Sequence, residues 1–193
     1  MCDKGFSLDI MIAFPQMPEV ADFARAVPEL PIILNHIGAL NRVGLYANRE
    51  DEVRTAWQAG IAAVAACPNI TLKLGGMGMP RMGFDWHTRA VPIGSEALAD
   101  AMAPWMQYCI EQFGPERCMF ESNFPPDKVS FSYNVMYNAF KRLSRAYSPA
   151  ERAALFHDTA VRAYRISEAS GMAPEMASAA QTTRDHPPTI AGP

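Results

Sequence analysis

The sequence lacks a long hydrophobic run, an excess of positive charge and a paired cysteine motif. No apolar stretch approaches the ~18 residues that a membrane-crossing helix needs, so no membrane partner is expected. Lysine and arginine number 17 against 20 acidic residues, a net charge of −3, which gives no reason to expect a nucleic-acid partner. The four cysteines, Cys2, Cys67, Cys109 and Cys118, form no Cys-x-x-Cys pair. Reduced thiols in a cytoplasmic protein are therefore the expectation. The opening Met-Cys-Asp-Lys-Gly does not read as a signal peptide, and no internal repeat is present.

What is present describes a globular chain. At 193 residues, 49% apolar and 19% charged, it can bury the core of one domain. Short apolar runs end in polar residues, and prolines and glycines separate them from helical patterns. Residues 7–14 are expected to form a strand closed by Pro15, followed by Gln16. Residues 18–27 carry Val20, Phe23, Ala24 and Val27 on one helical face. Ile32-Ile33-Leu34 is a second strand and ends in Asn-His-Ile-Gly. Val53, Trp57, Ile61 and Val64 predict a helix from Asp51 to about Cys67, and Ile70–Leu74 a third strand running into Gly75-Gly76.

Residues 77–94 are expected to be a long loop, functional or mobile, carrying Arg81, Asp85, Trp86, His87 and Arg89. Ser95 is expected to cap a helix with Leu98, Met102, Trp105 and Cys109 inward, kinked at Pro104 and stopped by Gly114-Pro115. Residues 118–120 form a fourth strand that breaks into Glu121, Ser122 and Asn123, then Pro125, Pro126 and Asp127. Helices are expected over 133–146 and, from a Ser148–Glu151 capping box, over 149–156, with Asp158 capping a last one. Residues 168–193 lose periodicity and are expected to be mostly disordered, leaving residues 1–167 as the domain.

Strands alternating with helices predict an α/β fold with about four parallel strands. Parallel strands gather their polar ends at one edge, where ligands bind in such folds. A carboxylate such as Glu121 at a buried strand end needs a partner, because an unpaired buried charge is costly. A closed Pro turn with a merely hydrogen-bonded glutamate is the plain structural alternative.

Three segments, Leu-Asn-His-Ile-Gly, Lys-Leu-Gly-Gly-Met-Gly-Met and Met-Phe-Glu-Ser-Asn-Phe-Pro-Pro-Asp-Lys, resemble the amidohydrolase-related TIM-barrel hydrolases. The stretch from Glu151 to Ile166 is similar to that family's closing helices. The resemblance covers roughly Lys4 to Ile166 and implies a partial TIM barrel, its C-terminal half. The family's first-strand His-x-His is missing: His36, His87, His157 and His186 are never so spaced. The resemblance implies a hydrolase of a small cyclic ester or amide, lactonase-like, acting as part of a complete barrel. Non-oxidative decarboxylation of an aromatic acid, or an inactive half-barrel that binds a complementary chain or another copy, are the alternatives.

By the same resemblance His36 would polarise a carbonyl or ligate a divalent metal, zinc or manganese. The missing first-half ligands count against metal binding by this chain alone. Asn123 stands where many relatives carry an aspartate, and a neutral amide cannot take a proton from water. Glu121, and after it Asp127, are the candidate bases. Equally open is a structural Glu121 paired with Lys73 or an arginine. Alternation along its strand points Lys73 into the barrel, where it could hold a substrate carboxylate. Gln16, Gly75, Trp86 and Asp127 complete the expected substrate contacts, with Gly75 and Gly76 allowing close backbone approach.

Overall fold

A computed structural model describes residues 4–167. Cys2 and the 168–193 tail, with the expectations attached to them, lie outside that range. The strands are β1 (Leu8–Ile10), β2 (Ile32–Leu34), β3 (Ile70–Leu74) and β4 (Cys118–Phe120). They form one sheet in the order β1-β2-β3-β4, every pair parallel. Between them run α1 (Met17–Ala26), α2 (Glu50–Ala65) and α3 (Ser95–Phe113). After β4 come α4 (Tyr133–Leu143), α5 (Pro149–Ala153), a π-helical turn (Ala154–Asp158) and α6 (Thr159–Tyr164). This is the expected partial α/β barrel.

Helices α1–α4 pack on one face of the sheet because each carries one apolar stripe. Trp57, Ile61 and Val64 of α2, and Leu98, Met102 and Cys109 of α3, are all at most 1% exposed. They join Ile70, Leu72 and Leu74 of β3 in one hydrophobic cluster. Trp57 and Trp105 meet edge-to-face at 5.1 Å. The alternate residues of β3, Thr71 and Lys73, point to the other face, which would be the inside of a complete barrel.

Several expectations shift in detail. β1 is shorter than residues 7–14, because the chain bends after Ile10 and Phe14 begins a 3₁₀ turn. α3 continues through Pro104 to Phe113, and α4 ends at Leu143. The Ser148–Glu151 capping box is complete, with both reciprocal hydrogen bonds present. Asp158 caps nothing: its backbone is helical and its carboxylate bonds to His157 instead. The 77–94 loop is packed rather than open, with Met77, Met82, Trp86 and Ile93 buried in the core.

Candidate active site

β2 ends in an unusual turn. His36, Ile37, Gly38 and Ala39 have φ of 58°, 50°, 71° and 45°, four successive left-handed residues. Each L-residue there costs roughly 1–2 kcal/mol, so the surroundings must hold it. Ile37, Ala39 and Leu40 are fully buried. The Trp57 indole N–H donates to the Ile37 carbonyl at 2.7 Å. Gly38 is required, since a Cβ there would lie 2.6 Å from the Met17 sulfur. The turn swings His36 across the ends of β3 and β4.

There it meets Glu121, the first residue after β4. Glu121 Oε1 pairs with His36 Nδ1 and also accepts the His36 backbone N–H at 3.0 Å. The two side chains are 11% and 14% exposed. With a carboxylate at Nδ1, the neutral ring carries its proton there and leaves Nε2 with the lone pair. Among the described residues Nε2 has no hydrogen-bond partner.

The glycines after β3 are the floor under this pair. A Cβ on Gly75 would meet Glu121 Cγ at 2.4 Å, and one on Gly76 would meet the His36 ring at 2.6 Å. A Cβ on Gly78 would lie 2.8 Å from Asp127 Cγ. The space expected for a ligand beside Gly75 therefore holds Glu121.

Asp127 is 1% exposed. Its two oxygens accept the Gly78 N–H at 3.0 Å and the Asn123 amide at 2.7 Å. Ser130 donates to the Gly78 carbonyl at 2.5 Å, closing a clasp between the loops after β3 and β4. Burial pushes the Asp127 carboxyl up to about 6, partly opposed by those two hydrogen bonds and by His36. Asn123 is left-handed as well, at φ 48°, and the clasp fixes its amide nitrogen.

Other expected residues stand elsewhere. Lys73 pairs with Asp9 at 2.8 Å rather than with Glu121, and Tyr164 donates to the same Asp9 oxygen at 2.6 Å. Trp86, expected to touch substrate, is 6% exposed and stacks on Phe84 at 4.5 Å. Gln16 uses its side-chain oxygen to accept the Ala13 N–H at 2.9 Å. Asn35 was overlooked in the sequence: its Oδ1 is buried beside His36 and has no hydrogen-bond partner among the described residues. Its place in the Leu-Asn-His-Ile-Gly segment was the available signal. A buried acceptor left without a donor invites water or a ligand hydroxyl.

The rim therefore holds an oriented imidazole, a buried carboxyl clasp and an unsatisfied acceptor, on strand ends of a partial barrel. The amidohydrolase family profile matches residues 1–166. This chain belongs to the amidohydrolase family. It is 34% identical over 163 residues to an uncharacterised protein of Sinorhizobium fredii, covering 84% of this chain and 48% of that one. It is 29% identical over 169 residues to an L-fucono-1,5-lactonase of Burkholderia multivorans, covering 86% and 53%. A crystal structure of a Burkholderia multivorans amidohydrolase with bound zinc superposes with a TM-score of 0.71 at 25% identity, covering 86% of this chain and 55% of that one. The chain thus spans about half the length of the relatives it matches.

The Glu121 carboxylate takes Nδ1 of the rim imidazole, and among the described residues no group of three His, Cys, Asp or Glu side chains could hold an ion. These residues do not make a metal site by themselves.

Proposed function

We propose that this chain is a hydrolase of the amidohydrolase superfamily acting on a small cyclic ester, lactonase-like, as one part of a complete barrel. The observation that supports it is the double contact of Glu121 with His36. That contact favours a division of labour other than the one first expected. Glu121 orients the ring and balances its charge, and His36 Nε2 is the base. Nε2 takes a proton from water as the oxygen attacks the lactone carbonyl carbon. The ring C–O bond then breaks, and the imidazolium returns the proton to the leaving alkoxide, giving the hydroxy acid. Asn123 and the Asn35 Oδ1 acceptor hold substrate hydroxyls. The likeness to an L-fucono-1,5-lactonase suggests sugar lactones as the first substrates to try.

The test is proton release in weakly buffered solution with a panel of sugar 1,5-lactones and 1,4-lactones. Turnover by the wild type that is lost in His36→Gln supports the reading. Equal rates in both, or carbon dioxide release from aromatic acids in place of lactone opening, would overturn it.

A further inference from the structure

The clasp between the loops after β3 and β4 contains a buried carboxyl that the hydrolytic steps leave unused. Asp127 is 1% exposed and is engaged at both oxygens. Its Oδ2 accepts the Gly78 N–H, and its Oδ1 accepts a hydrogen from the Asn123 amide nitrogen. Gly78 is fixed from its other side, where its carbonyl takes the Ser130 hydroxyl, so the backbone donor at Oδ2 is not free to turn away. A carboxylate only accepts, so Asn123 must face it with the NH2 group. The amide oxygen then occupies the other branch of the side chain, pointing away from Asp127. Asn123 is half-buried, two residues beyond Glu121. Among the described residues its Oδ1 has no hydrogen-bond partner.

We propose that Asp127 is a positioning residue that holds the Asn123 amide with its oxygen outward, so that this point of the rim accepts a hydrogen bond from a substrate hydroxyl and turns away a substrate carboxylate. This rests on the lactonase-like reading and narrows it to lactones that carry hydroxyls. The same geometry makes the orientation reversible. Oδ2 is occupied by the Gly78 N–H, so a proton added to Asp127 goes to Oδ1. The new O–H then meets the Asn123 NH2, donor against donor, and the amide turns over, with its oxygen inward and its NH2 outward. Burial raises the Asp127 carboxyl to about 6, against the two hydrogen bonds and the charge of His36, while Glu121 adds to the rise. Those two charged groups act on it from the ends of β2 and β4, and the loop after β3 contributes the Gly78 N–H. The outward oxygen is therefore the state above about pH 6. Asp127→Asn copies the protonated clasp at every pH: its oxygen must face the Gly78 N–H, which leaves its NH2 toward Asn123.

The experiment uses the full 193-residue chain, isotope-labelled for NMR, with Asp127→Asn beside the wild type. The Asn123 side-chain NH2 is assigned by its loss in Asn123→Ser. Relative to a free asparagine at the same pH, it should be protected from water in the wild type well above pH 6 and lose that protection as pH falls through about 6. In Asp127→Asn it should be unprotected throughout. The wild-type titration decides the point alone if the variant does not fold. In kinetics with sugar 1,5-lactones, Asp127→Asn should raise KM about tenfold, the size expected for one lost hydrogen bond, with a smaller change in kcat. Against δ-valerolactone, which carries no hydroxyl, KM should not rise in this way. An NH2 whose protection is the same at both ends of the pH range, or in both proteins, would overturn the positioning role whether or not a lactone is turned over. Equal KM changes for both kinds of lactone would overturn the hydroxyl assignment. No turnover of any lactone by the wild type would overturn that assignment together with the hydrolase reading.

Discussion

Glu121 grips His36 twice, at the ring Nδ1 and at the backbone N–H, through one carboxylate oxygen. The two residues are 85 positions apart in sequence. Backbone and ring are held together, so the imidazole is fixed in both position and tautomer. This makes Glu121→Gln a sharper test than deletion of the histidine. Glutamine can still fill the space, but it carries no charge to balance an imidazolium. The expected result is a fall of roughly 10²–10⁴ in kcat with little change in KM. Steady-state kinetics on whichever lactone the wild type turns over would measure it. An unchanged kcat would remove Glu121 from the mechanism.

The glycine floor predicts a contrast between two alanine variants. Gly76 has φ 69°, and a Cβ there would press on the His36 ring at 2.6 Å. Gly44 has φ 60°, and a Cβ there would meet nothing within 4 Å. Both pay the left-handed strain of roughly 1–2 kcal/mol, but only Gly76→Ala adds overpacking of about 1–3 kcal/mol. Urea unfolding should show Gly76→Ala as the less stable of the two, and its His36 resonances should shift. Equal losses would mean that the His36 ring yields freely.

Asp127 gives the fold a pH dependence whose sign is fixed by burial. Its folded value is raised from the ordinary 3.8 to about 6, so between those values the folded state holds the proton more tightly than the unfolded chain. The stabilisation is complete below about pH 4 and is lost as pH rises through 6. Its size is on the order of 3 kcal/mol at most. Asp127→Asn cannot titrate, so the stability difference between wild type and variant should shrink steadily from pH 4 to pH 7. Chemical denaturation across that range would measure it, and parallel curves would show that Asp127 does not titrate there.

The strands and the polar rim were legible because prolines and glycines isolate them. Ile32–Leu34, Ile70–Leu74 and the Cys118–Phe120 run are apolar, short and bounded by breakers, and all three are strands as expected. Partner choice was not legible. Lys73 bonds to Asp9 because the parallel register carries β1 and β3 past each other across β2, and α6 brings Tyr164 to the same point. Nothing local to Lys73 records that. The packing of Trp86 was not legible for a related reason: a loop looks open until its aromatic neighbours, here Phe84 and Phe131, close on it. The left-handed run at His36 was hidden too. Only Gly38 advertises it, and the other three residues are held there by burial rather than by preference.

That run gives the last prediction. The Ile37 carbonyl, in the middle of the turn, accepts the Trp57 indole N–H at 2.7 Å, and Trp57 is fully buried in α2. Trp57→Phe keeps an apolar ring in the core but leaves a buried carbonyl without its donor. The expected loss of stability is about 1–3 kcal/mol from the orphaned acceptor, beyond the smaller ring's packing loss. Trp57→Leu removes the donor and the aromatic contact with Trp105 together, and should cost more. The informative measurement is exchange of the His36 amide with solvent. If the turn is held from α2, that amide should exchange faster in Trp57→Phe than the unfolding free energy alone would allow, because releasing Ile37 frees His36 from Glu121. Exchange that simply tracks global stability would mean the turn is secured by Gly38, Met17 and the core, and that the indole bond is incidental to it.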